Sequence, residues 1–159
     1  MKHTLSIHVE NHAGVLSKVS GLFSRRGFNI DSLAVGITED PAISRITIVV
    51  DGDEYVVEQV EKQLNKLIPV IKVKALAPDA QISRELVLVR VGCNAKQRPE
   101  VMQIAEIMGA RIVDVSPSTL TLEFAGTTEH CDTLFTLLKP YGLREIVRTG
   151  IIAIESQRT

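Results

Sequence analysis

The sequence predicts an α+β protein built as two ferredoxin-like βαββαβ domains in tandem, and three observations predict it. Apolar side chains alternate at period two in some short runs and recur at helical spacing in others. The order strand–helix–strand–strand–helix–strand then occurs twice within 159 residues, in copies of roughly equal length. A polar, Pro-containing stretch, Ala77-Pro78-Asp79-Ala80-Gln81, lies between the copies and reads as a linker. The expected domains are residues 1–77 and 78–159.

Taken in order, Leu5-Ser6-Ile7-His8-Val9 alternates as a half-buried strand, and Leu16, Val19, Leu22 and Phe23 follow on one helix face. Arg25-Arg26-Gly27 ends that helix, with basic side chains at its negative end and Gly27 in the C′ position. A second strand runs from Phe28 to Ile37, Glu39-Asp40-Pro41-Ala42 turns, and Ser44 to Val50 alternates as a third strand. Asp51-Gly52-Asp53 stops it and supplies an N-cap for a helix whose inner face is Val57, Val60, Leu64 and Leu67. Pro69 ends the helix, and Val70 to Leu76 is the fourth strand. In the second copy Leu86 to Val91 is a strand and Gln97 to Met108 a helix, with Pro99 near its start and Gly109 as its cap. Strands at Arg111 to Val115 and Thr119 to Phe124, a helix from Glu129 to Leu138, and one strand from Ile146 to Ile154 complete it.

Composition narrows the function classes. At 45% hydrophobic and 23% charged the chain is globular. No apolar run approaches the ~20 residues of a membrane span. Met1-Lys2-His3-Thr4 runs straight into the first strand, so no signal or transit peptide is expected. Net charge is −1 with basic residues dispersed, which argues against nucleic acid as a partner. Aromatics at 4% are too few, and absent from the third strand, for an RNA-recognition sheet of the same βαββαβ order. Cys93 and Cys131 stand alone, as expected of buried thiols in a reducing cytoplasm.

The turn Glu10-Asn11-His12-Ala13-Gly14-Val15-Leu16 joins the first strand to the first helix. Asn and Gly are default turn formers, so the plain reading is an ordinary turn capped by Asn11. The functional reading is a cradle of backbone N–H groups at a helix N-terminus, suited to the carboxylate of a small zwitterion. Two further features bear on that choice. A domain of about seventy residues is near the lower limit for a self-sufficient core. The second strand also carries few charges or prolines to block edge-to-edge pairing, so a homodimer is expected.

The first 76 residues resemble an ACT domain, the amino-acid-binding βαββαβ module. The runs His8 to Leu16, Gly21 to Leu33 (with Gly27-Phe28-Asn29-Ile30-Asp31-Ser32-Leu33) and Ile43 to Thr47 resemble the small regulatory subunit of acetolactate synthase. In the second half Arg84-Glu85-Leu86, Ile112 to Val115 and Glu145 to Gly150 agree with the same family. The resemblance implies a non-catalytic regulatory subunit of branched-chain amino acid biosynthesis with no cofactor of its own. Its partner would be the large catalytic subunit, carrying thiamine diphosphate, Mg and FAD. The small subunit would raise that partner's activity and make it sensitive to valine. Carried over residue by residue, valine contacts fall on Asn11, Gly14, Val15 and Leu16 of one chain and on Asn29, Ile30 and Val35 of the other, across an ACT homodimer interface. Gly92-Cys93-Asn94-Ala95-Lys96-Gln97-Arg98-Pro99 does not reproduce the amide turn, which leaves one ligand element per chain.

The remaining reactive residues suggest neither catalysis nor metal binding. His3, His8, His12 and His130 lack metal spacing, and His8 alternates outward as a solvated or interface residue. Asp31, Asp40, Asp51 and Asp53 sit where aspartates cap helices and close turns. The competing function is an amino-acid-binding ACT regulator of another enzyme or of transcription.

Overall fold

The computed structural model describes residues 1–158. In chain order it contains β1 (Lys2–Glu10), α1 (Val15–Arg26), β2 (Ile30–Ile37), β3 (Ile43–Asp51), α2 (Glu54–Asn65), β4 (Val70–Leu76) and β5 (Gln81–Gly92). These are followed by α3 (Arg98–Met108), β6 (Arg111–Val115), β7 (Thr119–Gly126), α4 (Thr128–Leu138), β8 (Leu143–Arg148) and β9 (Ile152–Glu155).

The first unit is an antiparallel sheet in the order β2-β3-β1-β4. The period-two pattern of β1 and β3 sends Leu5, Ile7, Val9, Ile46, Ile48 and Val50 to one face. There they meet Val15, Val19, Leu22 and Phe23 of α1 and Val57, Val60 and Leu64 of α2, all nearly inaccessible. The ends of both helices follow from local chemistry. Gly27 adopts φ 72° and its N–H reaches the carbonyls of Phe23 and Ser24, while Asp53 caps α2 by accepting from the backbone N–H of Val56.

The second unit repeats the plan in the order β6-β7-β5-β8. Its core is Val87, Val89, Val91, Leu120, Leu122 and Phe124 against Val101, Ala105, Cys131, Leu134 and Leu138. Gly109, at φ 76°, ends α3 as Gly27 ends α1. Buried Glu85 receives a charge-assisted hydrogen bond from Arg148, whose guanidinium lies 5.4 Å from the centre of the Phe135 ring.

Two expectations are corrected. The segment Ala77–Gln81 is no unstructured linker: Pro78–Ala80 forms a 3₁₀ turn that leads directly into β5. The single strand expected from Ile146 to Ile154 is two. Thr149 donates from its backbone to Leu86 O, accepts at Oγ1 from Leu86 N, and is followed by Gly150 at φ 88°, which turns the chain out of the ladder. Strand β9 then pairs with β5, and Ser156 N donates to Ala80 O at 2.7 Å. The compact units are therefore Met1–Ile82 together with the stretch from Ile151, and Ser83–Gly150. They differ from the expected 1–77 and 78–159 in where the last strand goes. Among the described residues no helix is long and apolar enough to cross a membrane.

Candidate functional site

Strand β1 ends at Glu10, and the next residue fastens it to the neighbouring turn. Asn11 donates from its backbone to Ala42 O at 2.8 Å and from Nδ2 to Pro41 O at 2.9 Å. It is thus a clamp on the β2–β3 turn and not the cap of α1, a contact across thirty residues. The clamp leaves the side-chain oxygen of Asn11 as an acceptor. Gly14 occupies the N-cap at φ 86°, ψ −10°, and a Cβ there would meet nothing within 4 Å. Its glycine is needed for left-handed backbone, while the space before it is open.

No side chain caps α1, and no acidic residue stands in its first turn. The other helices are treated differently. Asp53 and Glu54 serve α2, Thr127 and Glu129 serve α4, and Glu100 stands in the first turn of α3. Among the described residues, the N–H groups and positive dipole end of α1 therefore have no side-chain cap or acidic first-turn partner. At the rim, His12 Nε2 lies 2.9 Å from Glu10 Oε2, and that hydrogen bond holds the imidazole above its ordinary value.

The structure brings Asn11, Gly14, Val15 and Leu16 into one turn. Val15 buries its side chain in the core at 3% exposure, so it has only its N–H to offer, whereas Leu16 is 42% exposed. Asn29, Ile30 and Val35 lie elsewhere on the chain. Asn29 precedes β2 and donates from Nδ2 to Asp31 Oδ1. Ile30 is half-buried against the core opposite Val50, while Val35 is half-exposed opposite Ile46. The Asn11–Gly14 turn leaves β1 opposite Ile43, at the other end of β3. At 3.4 Å per residue the two ends of β3 are about 24 Å apart. One copy of the chain therefore does not bring Asn29 and Ile30 to that turn, while Val35, opposite Ile46, lies between the two ends. The turn and the Asn29–Ile30 pair both flank β2, which has β3 as its one sheet neighbour and is an edge strand. Ile37, 66% exposed at the far end of β2, and the Pro41 and Ala42 carbonyls belong to the same corner. Residue type alone did not reveal them, since their placement depends on strand register.

Among the described residues no group of three His, Cys, Asp or Glu side chains is arranged to hold a metal ion. Both cysteines are free and buried.

Comparison with known proteins agrees with this architecture over nearly the whole chain. Residues 5–72 match the family model of the AHAS small subunit-like ACT domain, and residues 84–157 match that of the small subunit of acetolactate synthase. The chain is 49% identical to the acetolactate synthase small subunit of Mycolicibacterium smegmatis, over 96% of this chain and 89% of that protein. It is 49% identical to the probable acetolactate synthase small subunit of Archaeoglobus fulgidus, over 97% and 96%. The crystal structure of the small subunit from Thermotoga maritima superposes with a TM-score of 0.93 at 38% identity, covering 100% of this chain and 99% of that one. With both halves matched and its architecture shared, the chain belongs to the acetolactate synthase small subunit family, whose members are regulatory ACT-domain subunits and not the catalytic ones.

Proposed function

We propose that this subunit binds valine at an interface between two of its own ACT domains, and that it activates a catalytic acetolactate synthase subunit and makes it valine-sensitive. The observation that carries the proposal is that the Asn11–Leu16 turn and the Asn29–Ile30 pair lie at opposite ends of an open edge strand, with Val35 between them. Two copies pairing their β2 edges about a twofold axis run antiparallel. The Asn29–Ile30 end of one copy then lies beside the Asn11–Leu16 turn of the other. The uncapped start of α1 offers N–H groups to the valine carboxylate. The free oxygens of Asn11 and Asn29 suit its ammonium, and Leu16, Ile30 and Val35 supply apolar surface for the isopropyl group.

The reading includes a large catalytic subunit that carries thiamine diphosphate, Mg and FAD, with both proteins in the cytoplasm. It is tested by calorimetric titration of the purified chain with valine, leucine, isoleucine and alanine, with light scattering on the same samples. A dimer that binds valine, and a catalytic subunit that gains both rate and valine sensitivity on mixing, are expected. A monomer at micromolar concentration with and without valine, or a dimer that takes up none of the four amino acids, would refute it.

A further inference from the structure

The face of the first sheet that points away from α1 and α2 carries an unusual row of side chains. In register, Gly36 of β2 lies opposite Arg45 of β3, Arg45 opposite His8 of β1, and His8 opposite Lys72 of β4. One step along, Ser6 stands between Thr47 and Lys74. Arg45 and Lys72 flank His8 from the two neighbouring strands, so the row gathers positive charge that calls for compensation. Lys74 has it, in Glu155 Oε2 of β9 at 2.5 Å. Among the described residues no carboxylate lies within 4 Å of Arg45 or Lys72. Among the described residues two positive charges are left unmatched.

Ser6, His8, Arg45, Lys72 and Lys74 line one wall of a cavity of about 260 Å³, and Ala153, Ile154, Glu155 and Gln157 line the other. Every one of these residues belongs to the first compact unit. Inside it, Arg45 Nη2 lies 3.0 Å from His8 Nε2, which must accept because guanidinium only donates. Burial, then Arg45 and Lys72, hold the His8 imidazole below its ordinary value, and Glu39 opposes them most weakly. His8 is accordingly neutral near pH 7, with its proton on Nδ1. That Nδ1 and the Nε of Arg45 are both buried, and among the described residues neither has a hydrogen-bond partner. Two orphan N–H donors beside two unmatched cations describe a place where an acceptor of double negative charge belongs.

We propose that this row is a binding site for a phosphate-type dianion, seated between the outer face of the first sheet and the returning strand β9. A phosphate group carries about 1.5 to 2 negative charges near neutral pH and several acceptor oxygens. It matches both the unmatched charge and the orphan donors, where a monocarboxylate supplies half the charge. Gly36, with nothing within 4 Å of a Cβ, keeps the β2 end of the row unobstructed. The site is separate from the proposed valine site and stands without it.

The test is a nuclear magnetic resonance titration of the full chain with inorganic phosphate, at ionic strength balanced with chloride. Saturable shifts at Ser6, His8, Arg45 and Lys72 are expected, with a rise in the His8 pKa as the dianion arrives. Arg45→Gln and Lys72→Gln should each weaken binding about tenfold. Glu155→Gln, which removes the competing carboxylate, should tighten it, and Lys62→Gln on α2 should leave it unchanged. Methyl phosphate in a parallel arm separates a site for free phosphate from one that accepts phosphomonoesters, and uptake of either supports the assignment. Shifts that stay linear in phosphate, acetate binding as tightly as phosphate, or a loss in Lys62→Gln equal to that in Arg45→Gln would each overturn it. Valine titration of the same variants is expected to be unchanged, so failure here is distinguishable from failure of the valine reading.

Discussion

Gly14→Asp tests the proposed valine cradle most directly. The residue sits at φ 86° with open space in front of it, so a side chain there clashes with nothing in its own chain. A left-handed non-glycine residue costs about 1–2 kcal/mol, and a carboxylate near a helix N-terminus returns about 0.3–1 kcal/mol. The net loss of about 1 kcal/mol lowers Tm by several degrees and leaves the fold intact. The effect on valine is larger. Two carboxylates about 4 Å apart repel by roughly 4 kcal/mol at an effective dielectric near 20, and screening by salt reduces this to about half. About 2 kcal/mol is roughly a thirtyfold loss of affinity. Calorimetry on the purified variant should show that loss with the dimer preserved, and the variant should still activate the catalytic subunit. Gly14→Ala carries the same backbone strain without the charge and should bind valine within a few-fold of the parent. Unchanged affinity in a folded Gly14→Asp dimer would move the site elsewhere. A loss in Gly14→Ala as large as in Gly14→Asp would refute the electrostatic argument.

Two other outcomes are expected. Burial, and next the Glu85 carboxylate, push the Cys131 thiol up from 9.0 to about 11. Its thiolate is then roughly one part in a thousand at pH 8, so a maleimide should leave it unmodified until the protein is unfolded. Because the folded value is the higher one, this thiol's contribution is complete below pH 9 and is lost as pH rises towards about 11. Urea melts of the parent and of Cys131→Val should differ in slope across that window, and parallel slopes would contradict the assignment. A chain truncated after Asp79 should still dimerise and bind valine but be less stable. It loses the Lys74–Glu155 pair and the bond from Ile151 N to Ser32 Oγ, together about 1–2 kcal/mol. A truncated chain as stable as the full one would show that β9 contributes nothing to the first unit.

The βαββαβ order was legible because each element announces itself locally: alternation in β1 and β3, a 3.6-residue stripe in α1 and α2, and Gly27, Asp53 and Gly109 at the ends they cap. The errors arose where distant residues decide. Ala77–Gln81 looks like a linker on composition, yet it is held by a strand some seventy positions away. The apolar run from Ile146 to Ile154 hides its break at Thr149 and Gly150, though the glycine was a visible warning. At the site, Gly14 could be read from the strand-to-helix joint. The carbonyl of Pro41 as the partner of Asn11 could not, because that bond depends on how β1 and β3 are registered. His8 shows the same limit. Its outward alternation suggests a solvated or interface ring, and only the registers with Arg45 and Lys72 reveal the half-buried row.

The returning strand also bears on how the molecule is made. Strand β9 completes the first unit, yet it lies beyond Ser83–Gly150 in the chain. At synthesis rates of about 5–20 residues per second, the ribosome needs roughly 3 to 14 s to pass from Ile82 to Ile151. During that interval the nascent first unit has its helices and all four strands, while Lys74 waits for Glu155 and Ser32 for Ile151. Closure of the outer face is thus a late, long-range event set by chain order. Translation stalled within the second unit would leave the Asn11–Leu16 turn already folded on a unit whose basic face is still bare.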